Sequence, residues 1–372
     1  MITLVAGTRP NFMKIAPVRA GLVDRGATVR VVHTGQHFDS AMSDVFFRDL
    51  NMPAPDALLN AGGGSHAEQT AAVLVRVEAD LLSHRPEAVV VVGDVTSTLA
   101  AALAASKLGI PIVHVEAGLR SRDWTMPEEI NRVLTDRLSD LLLIPSHDAR
   151  ATLRGEGIED ERIVFVGNVM IDSLLSARAR PTDVLARLGL ASGIYAVATL
   201  HRPANVDTAE ALGATLAALE TIASKLPVVF PMHPRTVERV RELGFEERLQ
   251  AIDGLSMIPP LGYLDFATLF SGACLVATDS GGIQEETTAL GIPCLTLRQG
   301  TERPITVTSG TNTVVGLDCA TIALEVDAVI AGKGKRGSVP EGWDGCAGER
   351  CATAILALAT GTPPPRTAGP RA

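Results

Sequence analysis

Short apolar runs recur along this chain, and most are followed by a segment with helical periodicity. In the first half, residues 2–7, 28–34, 88–92, 112–115, 141–144 and 163–166 read as strands. Between them, 11–25, 66–84, 96–108 and 127–139 read as helices, the last with Pro127 in its first turn. A polar stretch, 35–40, leads into an amphipathic segment at 42–50 and then a loop rich in Pro and Gly. A second series starts near Tyr195, with strands at 195–200, 228–231, 255–258, 274–278 and 294–297 and helices at 209–225, 236–243 and 266–271. Strands this apolar are buried on both faces, and the intervening helices make the sheets parallel and doubly wound. The pattern therefore predicts α/β architecture with two Rossmann-like domains, 1–172 and 173–345. A closing helix at 346–359 is expected to pack back on the N-terminal domain, and the Pro-, Gly- and Arg-rich tail 360–372 is expected to be disordered.

Bulk properties narrow the function. A chain of 372 residues with 46% hydrophobic residues and a mean hydropathy of +0.23 can fill two full cores. No apolar run approaches the roughly 18 residues of a membrane helix. The opening Met1–Gly7 lacks the basic region and length of a signal peptide, so no membrane role and a cytoplasmic location are expected. A net charge of −9 argues against a nucleic-acid surface while leaving room for a local basic pocket. Five cysteines without a Cys-x-x-Cys pair suggest free thiols, buried at Cys274 and Cys294, and neither zinc nor disulfides.

Candidate chemistry lies where the strands end, the place where open α/β sheets bind ligands. The stretch Thr278-Asp279-Ser280-Gly281-Gly282-Ile283-Gln284-Glu285-Glu286 follows an apolar run and continues as a helix until Gly291 and Pro293. A strand, a tight Ser-Gly-Gly turn and a helix start expose unpaired backbone N–H groups, and the helix dipole favours an anion there. Diphosphate suits the place, with glycines that let it approach the backbone and Glu285 and Glu286 able to accept bonds from sugar hydroxyls. The plainer alternative is that Ser280 caps the helix and the acids answer its dipole. Arg298 and Arg303, in a polar loop after the next strand, weigh against that alternative.

Other strand ends are polar too. Arg9 and Lys14 follow the first strand, placed to meet phosphate or to stand as a solvated pair. Asp94 follows four valines, where capping the helix at Thr96 competes with catalysis. His114, facing inward beside Glu116, reads as a core residue and is set aside. Glu128 and Glu129 open a helix, where acids are common for dipole reasons alone. In the second series His201 and His233 each follow a strand directly. Three carboxylates crowded together would have raised pKa values, which suits proton transfer at neutral pH.

These residues, in this order, resemble the UDP-N-acetylglucosamine 2-epimerase family of non-hydrolysing type. The matching stretches are Gly7-Thr8-Arg9-Pro10, Thr34-Gly35-Gln36-His37, Val92-Gly93-Asp94, His114-Val115-Glu116-Ala117-Gly118-Leu119-Arg120, Pro127-Glu128-Glu129-Ile130-Asn131-Arg132, His201-Arg202, and Thr278 to Glu286 with Thr301-Glu302-Arg303-Pro304. Trp343-Asp344-Gly345 and Glu349-Arg350 resemble the family's C-terminal end. The resemblance implies a GT-B-like fold, two Rossmann-like domains facing a central cleft, and a homodimer is expected with it. It implies that Arg9, Ser280 and Glu286 hold UDP with Gly281, Gly282 and His233 nearby, and that Phe266 lies close to uracil. Lys14 and Arg303 join this substrate-binding set. Asp94, Glu116, Glu128 and His201 would do the chemistry.

Two positions depart from the family pattern. Ala204 stands where His-Arg-x-Glu-Asn has its acid, although Asn205 remains. Phe38-Asp39-Ser40 follow Gln36-His37 where some bacterial members carry the polar residues of an activating second site. The implied reaction inverts carbon 2 of the sugar by eliminating UDP, forming 2-acetamidoglucal and adding UDP back. It needs no redox cofactor, and neither a Gly-x-Gly-x-x-Gly fingerprint nor a metal cluster is visible. A hydrolysing relative that releases N-acetylmannosamine, a 2-epimerase of a diacetamido-uronic acid sugar, a GT-B glycosyltransferase and a non-catalytic binding protein are the alternatives.

Overall fold

A computed structural model describes residues 1–36 and 46–362. His37, Phe38, Asp39 and Ser40, the first part of the amphipathic segment at 42–50, and the tail from 363 lie outside the described residues. The chain divides into two units, Met1–Ser176 with the segment from Glu341, and Ala177–Pro340.

Among the described residues of the first unit, seven strands pair in parallel throughout: β1 (Ile2–Ala6), β2 (Val29–His33), β3 (Ala57–Leu58), β4 (Ala88–Val92), β5 (Ile112–Val115), β6 (Leu141–Ile144) and β7 (Ile163–Phe165). Their order is β3-β2-β1-β4-β5-β6-β7. The second unit has β8 (Ala196–Thr199), β9 (Val228–Pro231), β10 (Leu255–Ile258), β11 (Leu275–Thr278), β12 (Cys294–Thr296) and β13 (Asn312–Val314), again all parallel, in the order β10-β9-β8-β11-β12-β13. Every residue of β4 is fully buried, as a strand covered on both faces requires. One face of the first sheet packs with Phe12, Ile15, Val18 and Leu22 of helix Arg9–Asp24 and with Ile355 of helix Ala347–Ala359. The other face packs with Val73, Val77 and Leu81 of helix His66–His84 and the alanines of helix Thr96–Lys107.

Strand order reverses beside β1 in the first sheet and beside β8 in the second. At such a point the connections leave in opposite directions, and a crevice opens at the carboxyl ends of the two central strands. In the first unit those ends carry Gly7–Lys14 and Gly93-Asp94, and in the second they carry His201-Arg202 and Asp279–Gly282.

The chain returns to its first unit through a latch. Trp343 Nε1 donates to the Pro145 carbonyl at 3.1 Å, and Arg350 donates to the carbonyls of Val166 and Gly342 at 2.6 and 2.8 Å. Asp172 accepts the N–H groups of Ala347 and Gly348, at 3.2 and 2.7 Å, at the start of the last helix. Pro17 lies inside helix Arg9–Asp24 and has no N–H for the Met13 carbonyl, which accepts the Ser173 hydroxyl instead. These contacts tie Ser173 and Trp343 to the first unit, so the division falls after 176 and after 340 where the sequence suggested 172 and 345.

Helices His147–Gly155 and Cys319–Ile330 and strands β3 and β13 were not evident from the sequence. Helix His147–Gly155 buries only Ala149 and Leu153, and Cys319–Ile330 carries apolar residues on its exposed side as well, Leu324 and Ile330, which blurs its stripe. The strands are two and three residues long.

The last helix crosses helix Arg9–Asp24 closely enough that a Cβ on Gly348 would lie 2.5 Å from the Pro17 carbonyl oxygen. Gly348→Ala is therefore expected to destabilise the first unit by roughly 1–3 kcal/mol, the usual cost of overpacking. Both tryptophans, Trp124 and Trp343, belong to that unit, so denaturant unfolding followed by tryptophan fluorescence reports it. An unchanged midpoint would contradict the close approach.

Candidate active site

In the first unit the turn after β1 is held by Asn11. Its side-chain oxygen accepts from the N–H groups of Gly7 and Thr8 at 3.1 and 3.2 Å, and its amide donates to the Val92 carbonyl at 3.2 Å. That bond ties the ends of β1 and β4 together. Arg9 is exposed at the helix start, its guanidinium 5.9 Å from the Phe46 ring centre. Lys14, one turn further on, is buried and forms an ion pair with Glu116. Glu116 adopts φ +71°, a left-handed conformation costly for a residue with a side chain and typical of strained functional sites. A Cβ on Gly93 would lie 2.9 Å from Lys14 Nζ and 3.4 Å from Glu116 Oε2, which sets the Asp94 turn against this pair.

Asp94 accepts from Arg132 Nε and Nη2 at 3.0 and 2.6 Å, and its carbonyl accepts from the Asn131 amide at 2.8 Å. Both donors come from helix Pro127–Leu138, so the start of that helix is fastened to the end of β4. Glu129 is part of the fastening. It accepts from Arg132 and from the N–H groups of Ser121 and Arg122, at 2.8 to 2.9 Å. Burial alone pushes the Glu129 carboxyl up, but these bonds outweigh burial and hold it below the usual range. Glu128, beside it, is half-buried and takes part in none of these bonds. Asp94 and Glu116 each meet a cation, Arg132 and Lys14, where the sequence suggested like charges crowding one another.

His114 is a core residue. It is fully buried, with Nδ1 2.6 Å from Asp136 and Nε2 2.8 Å from the Gly93 carbonyl.

In the second unit, helix Gly281–Leu290 begins with the two glycines as its first two residues, not with a turn before it. Ser280 sits at the N-cap, yet its side chain makes no cap bond, and its N–H donates to the Thr278 hydroxyl at 2.9 Å. The first-turn N–H groups are thus not consumed by Ser280, and the helix end retains the donors of an anion site. Gly281 has a packing reason of its own: a Cβ there would lie 2.6 Å from Glu302 Oε1 and 2.7 Å from Arg303 Nη1.

Behind that helix start is a buried charge cluster. Glu302 receives Arg298 at 2.9 Å and Arg303 at 3.0 Å, and Arg303 Nε lies 3.1 Å from Glu285. Burial raises the Glu302 carboxyl, but Arg303 and Arg298 outweigh it and bring it to about 2. Glu286 goes the other way, to about 8, because it is buried and sits beside the charge of Glu285. Phe266 lies parallel to Phe270, ring centres 6.0 Å apart, on helix Tyr263–Ser271.

His201 follows β8 with its ring 5.3 Å from that of His233, and its Nδ1 is 3.2 Å from Asp279. Asp279 is a neighbour of His201 that the sequence did not single out, and Asn205, which remains of the family pattern, binds it. Asn205 donates to Asp279 at 3.1 Å and to the Leu297 carbonyl at 3.0 Å. Asp279 stood inside the helix-start motif, but only the parallel register of β8 and β11 brings it under His201.

The structure thus gathers Arg9, Lys14, Asp94 and Glu116 around the switch point of the first unit, and Glu128 opens the helix whose Asn131 and Arg132 bind Asp94. His201, Ser280, Gly281, Gly282, Glu286 and Arg303 lie at that of the second, with His233 at the end of the adjacent strand β9. Phe266 follows β10. Among the described residues no group of three or more His, Cys, Asp or Glu is placed to hold a metal ion, and no helix is long and apolar enough to cross a membrane.

Residues 22–356 match the sequence profile of UDP-N-acetylglucosamine 2-epimerase. The chain belongs to that family. It is 42% identical to the UDP-N-acetylglucosamine 2-epimerase of Methanocaldococcus jannaschii over 85% of this chain and 88% of the relative. It is 44% identical, at the same coverage, to the UDP-2,3-diacetamido-2,3-dideoxy-D-glucuronate 2-epimerase of Pseudomonas aeruginosa. Its fold is similar to the crystal structure of the M. jannaschii enzyme in complex with UDP-GlcNAc and UDP, with a TM-score of 0.88 and 39% identity over 96% of this chain and 99% of that one. The family's GT-B-like fold of two parallel-sheet domains accounts for both sheets.

The Glu286 carboxyl sets a pH dependence of stability. It ionises near 4.5 when unfolded and near 8 when folded. Its contribution to stability is therefore fully present below about 4.5 and is lost as pH rises through about 8. Glu286→Gln stays neutral, so its stability relative to wild type should grow across that window and level off above it. Circular dichroism melts at about pH 5, 7 and 9 check this, and a constant difference at all three would contradict it.

Proposed function

We propose that the protein interconverts UDP-N-acetylglucosamine and UDP-N-acetylmannosamine without hydrolysis. The observation that carries this reading is the placing of Asp94, paired with Arg132, and Glu116, paired with Lys14, at one switch point, in a member of the epimerase family. The carbon 2 proton of the sugar is not acidic in the ground state. A carboxylate removes it as the carbon 1–oxygen bond breaks, the electron pair leaves with UDP, and 2-acetamidoglucal remains. UDP then adds back while a second acid delivers a proton to the opposite face of carbon 2. Two carboxyl groups on different faces are needed, and two of Asp94, Glu116 and Glu128 supply them. Arg9 and Lys14 in the first unit, and the helix start at Ser280, Gly281 and Gly282 in the second, are each suited to a phosphate, and His201 stabilises the diphosphate as it departs. Glu286, His233, Phe266 and Arg303 complete the nucleotide site, with Phe266 against uracil. The charge cluster at Arg303 also holds Gly281 in place. A homodimer in the cytoplasm belongs to this reading. Resemblance to the family supports the first, and a charged nucleotide sugar that does not cross membranes supports the second.

A diacetamido-uronate sugar is the second reading, favoured by the 44% identity to the P. aeruginosa enzyme. The test is to incubate the protein with UDP-N-acetylglucosamine, and in parallel with the diacetamido-uronate analogue, and follow products by proton NMR. The proposal expects UDP-N-acetylmannosamine from the first. Free N-acetylmannosamine with UDP would replace it with the hydrolysing reaction, and turnover of the analogue alone would replace the substrate. Glu128→Gln keeps the shape but cannot cycle a proton, so turnover should drop by about 10²-fold or more while UDP binding survives. Near-normal epimerisation by that variant would remove Glu128 from the chemistry.

A further inference from the structure

We propose that Asp279 is the positioning residue of His201: it orients the ring through Nδ1 and balances its positive charge, so that Nε2 is the atom that serves the departing diphosphate. This rests on the catalytic role given to His201 above and adds a residue to that site.

Asp279 is completely buried at the end of β11, one residue before the helix-start serine. A carboxylate there stands next to a place meant for an anion, which calls for compensation. Four donors supply it: the N–H of His201 at 3.0 Å, the N–H of Arg202 at 2.8 Å, the Asn205 amide at 3.1 Å and the His201 ring at 3.2 Å. The first three are fixed by the backbone and by Asn205, whose amide is held in turn by the Leu297 carbonyl at 3.0 Å. Burial pushes the Asp279 carboxyl up, and the His201 ring and these N–H groups outweigh it and keep it ionised. The carboxylate is therefore a preset acceptor, and His201 presents its ring to solvent, with 37% of the side chain exposed.

A ring that gives Nδ1–H to a buried carboxylate presents Nε2 on its other side, the logic by which an Asp holds a catalytic histidine in its working tautomer. When Nε2 takes up a proton, the adjacent carboxylate stabilises the imidazolium. That proton can be lent to the diphosphate oxygen freed at carbon 1 and recovered when UDP adds back, so the exchange balances over a cycle. The other groups beside His201 are the His233 ring, at 5.3 Å, and Arg202, which turns toward Glu302 at 3.6 Å. The missing acid at position 204 does not weaken this support, because Ala204 is exposed and Asp279 with Asn205 holds the ring from below.

The test compares wild type with Asp279→Asn, Asp279→Glu, Asn205→Ala and His201→Asn, measuring kcat and KM for UDP-N-acetylglucosamine across pH and UDP affinity by calorimetry. Asp279→Asn should lower kcat by about 10²-fold or more with KM and UDP affinity nearly unchanged. Its alkaline limb should move to lower pH by about one unit, since removing an anion beside an imidazolium favours loss of its proton. Asp279→Glu keeps the charge and should keep the limb in place. If Asp279→Asn does not fold, Asn205→Ala carries the test: it should lower kcat by a smaller factor at constant KM, and full activity would overturn the proposal. A wild-type pH profile in Asp279→Asn, or UDP affinity lost in step with turnover, would also overturn it. Inactive His201→Asn with unchanged Asp279→Asn refutes only the positioning role. Wild-type turnover by His201→Asn refutes the catalytic reading of His201 and this proposal with it.

Discussion

A parallel sheet delivers all its carboxyl ends to one edge, and only where strand order reverses does that edge open enough to admit a ligand. Both sheets here are entirely parallel, and each reverses once, beside β1 and beside β8. The rest of the site follows from that constraint. Asn11 and Arg132 fasten the loops at the first reversal, and Asp279 fastens those at the second. The long-range latch through Trp343, Arg350 and Asp172 keeps the last helix against the first sheet, on the face that carries Lys14.

Burial then decides what each carboxylate can do. An ionised group out of water is tolerated only when donors or cations surround it. Glu129, Asp136, Glu302 and Asp279 are saturated in this way and serve as fixed supports. Glu286 is buried next to Glu285 with less compensation, and its carboxyl is pushed up to about 8. At the first reversal Asp94 is paired with Arg132 and Glu116 with Lys14. Glu128 is half-buried and outside the network that holds its neighbour. The acids thus differ in their surroundings, not in residue type.

Much of this was legible in the residues. Long helices with regular apolar spacing, such as His66–His84, and unbroken valine runs such as β4 announce themselves through periodicity and burial. The polar residues following them identify the strand ends. What could not be read is whatever depends on register between distant segments. The parallel pairing of β8 with β11 puts Asp279 beneath His201, 78 positions away, and no local pattern records it. Likewise Gly281 looked like an opening for a ligand, while in three dimensions the Glu302–Arg303 pair fills the space beside it. Helices with a thin apolar stripe, such as His147–Gly155, also escape periodicity.

The proposed function stands on elimination and re-addition at carbon 2, for which the carboxylates of the first unit would carry the protons. Its most direct test is solvent exchange. Protein freed of bound dinucleotide is incubated with UDP-N-acetylglucosamine in heavy water, without nicotinamide or metal, and carbon 2 of the product is examined by NMR. The account predicts UDP-N-acetylmannosamine carrying deuterium at carbon 2. Product that retains its original proton there, or that forms only when a nicotinamide is supplied, would contradict it.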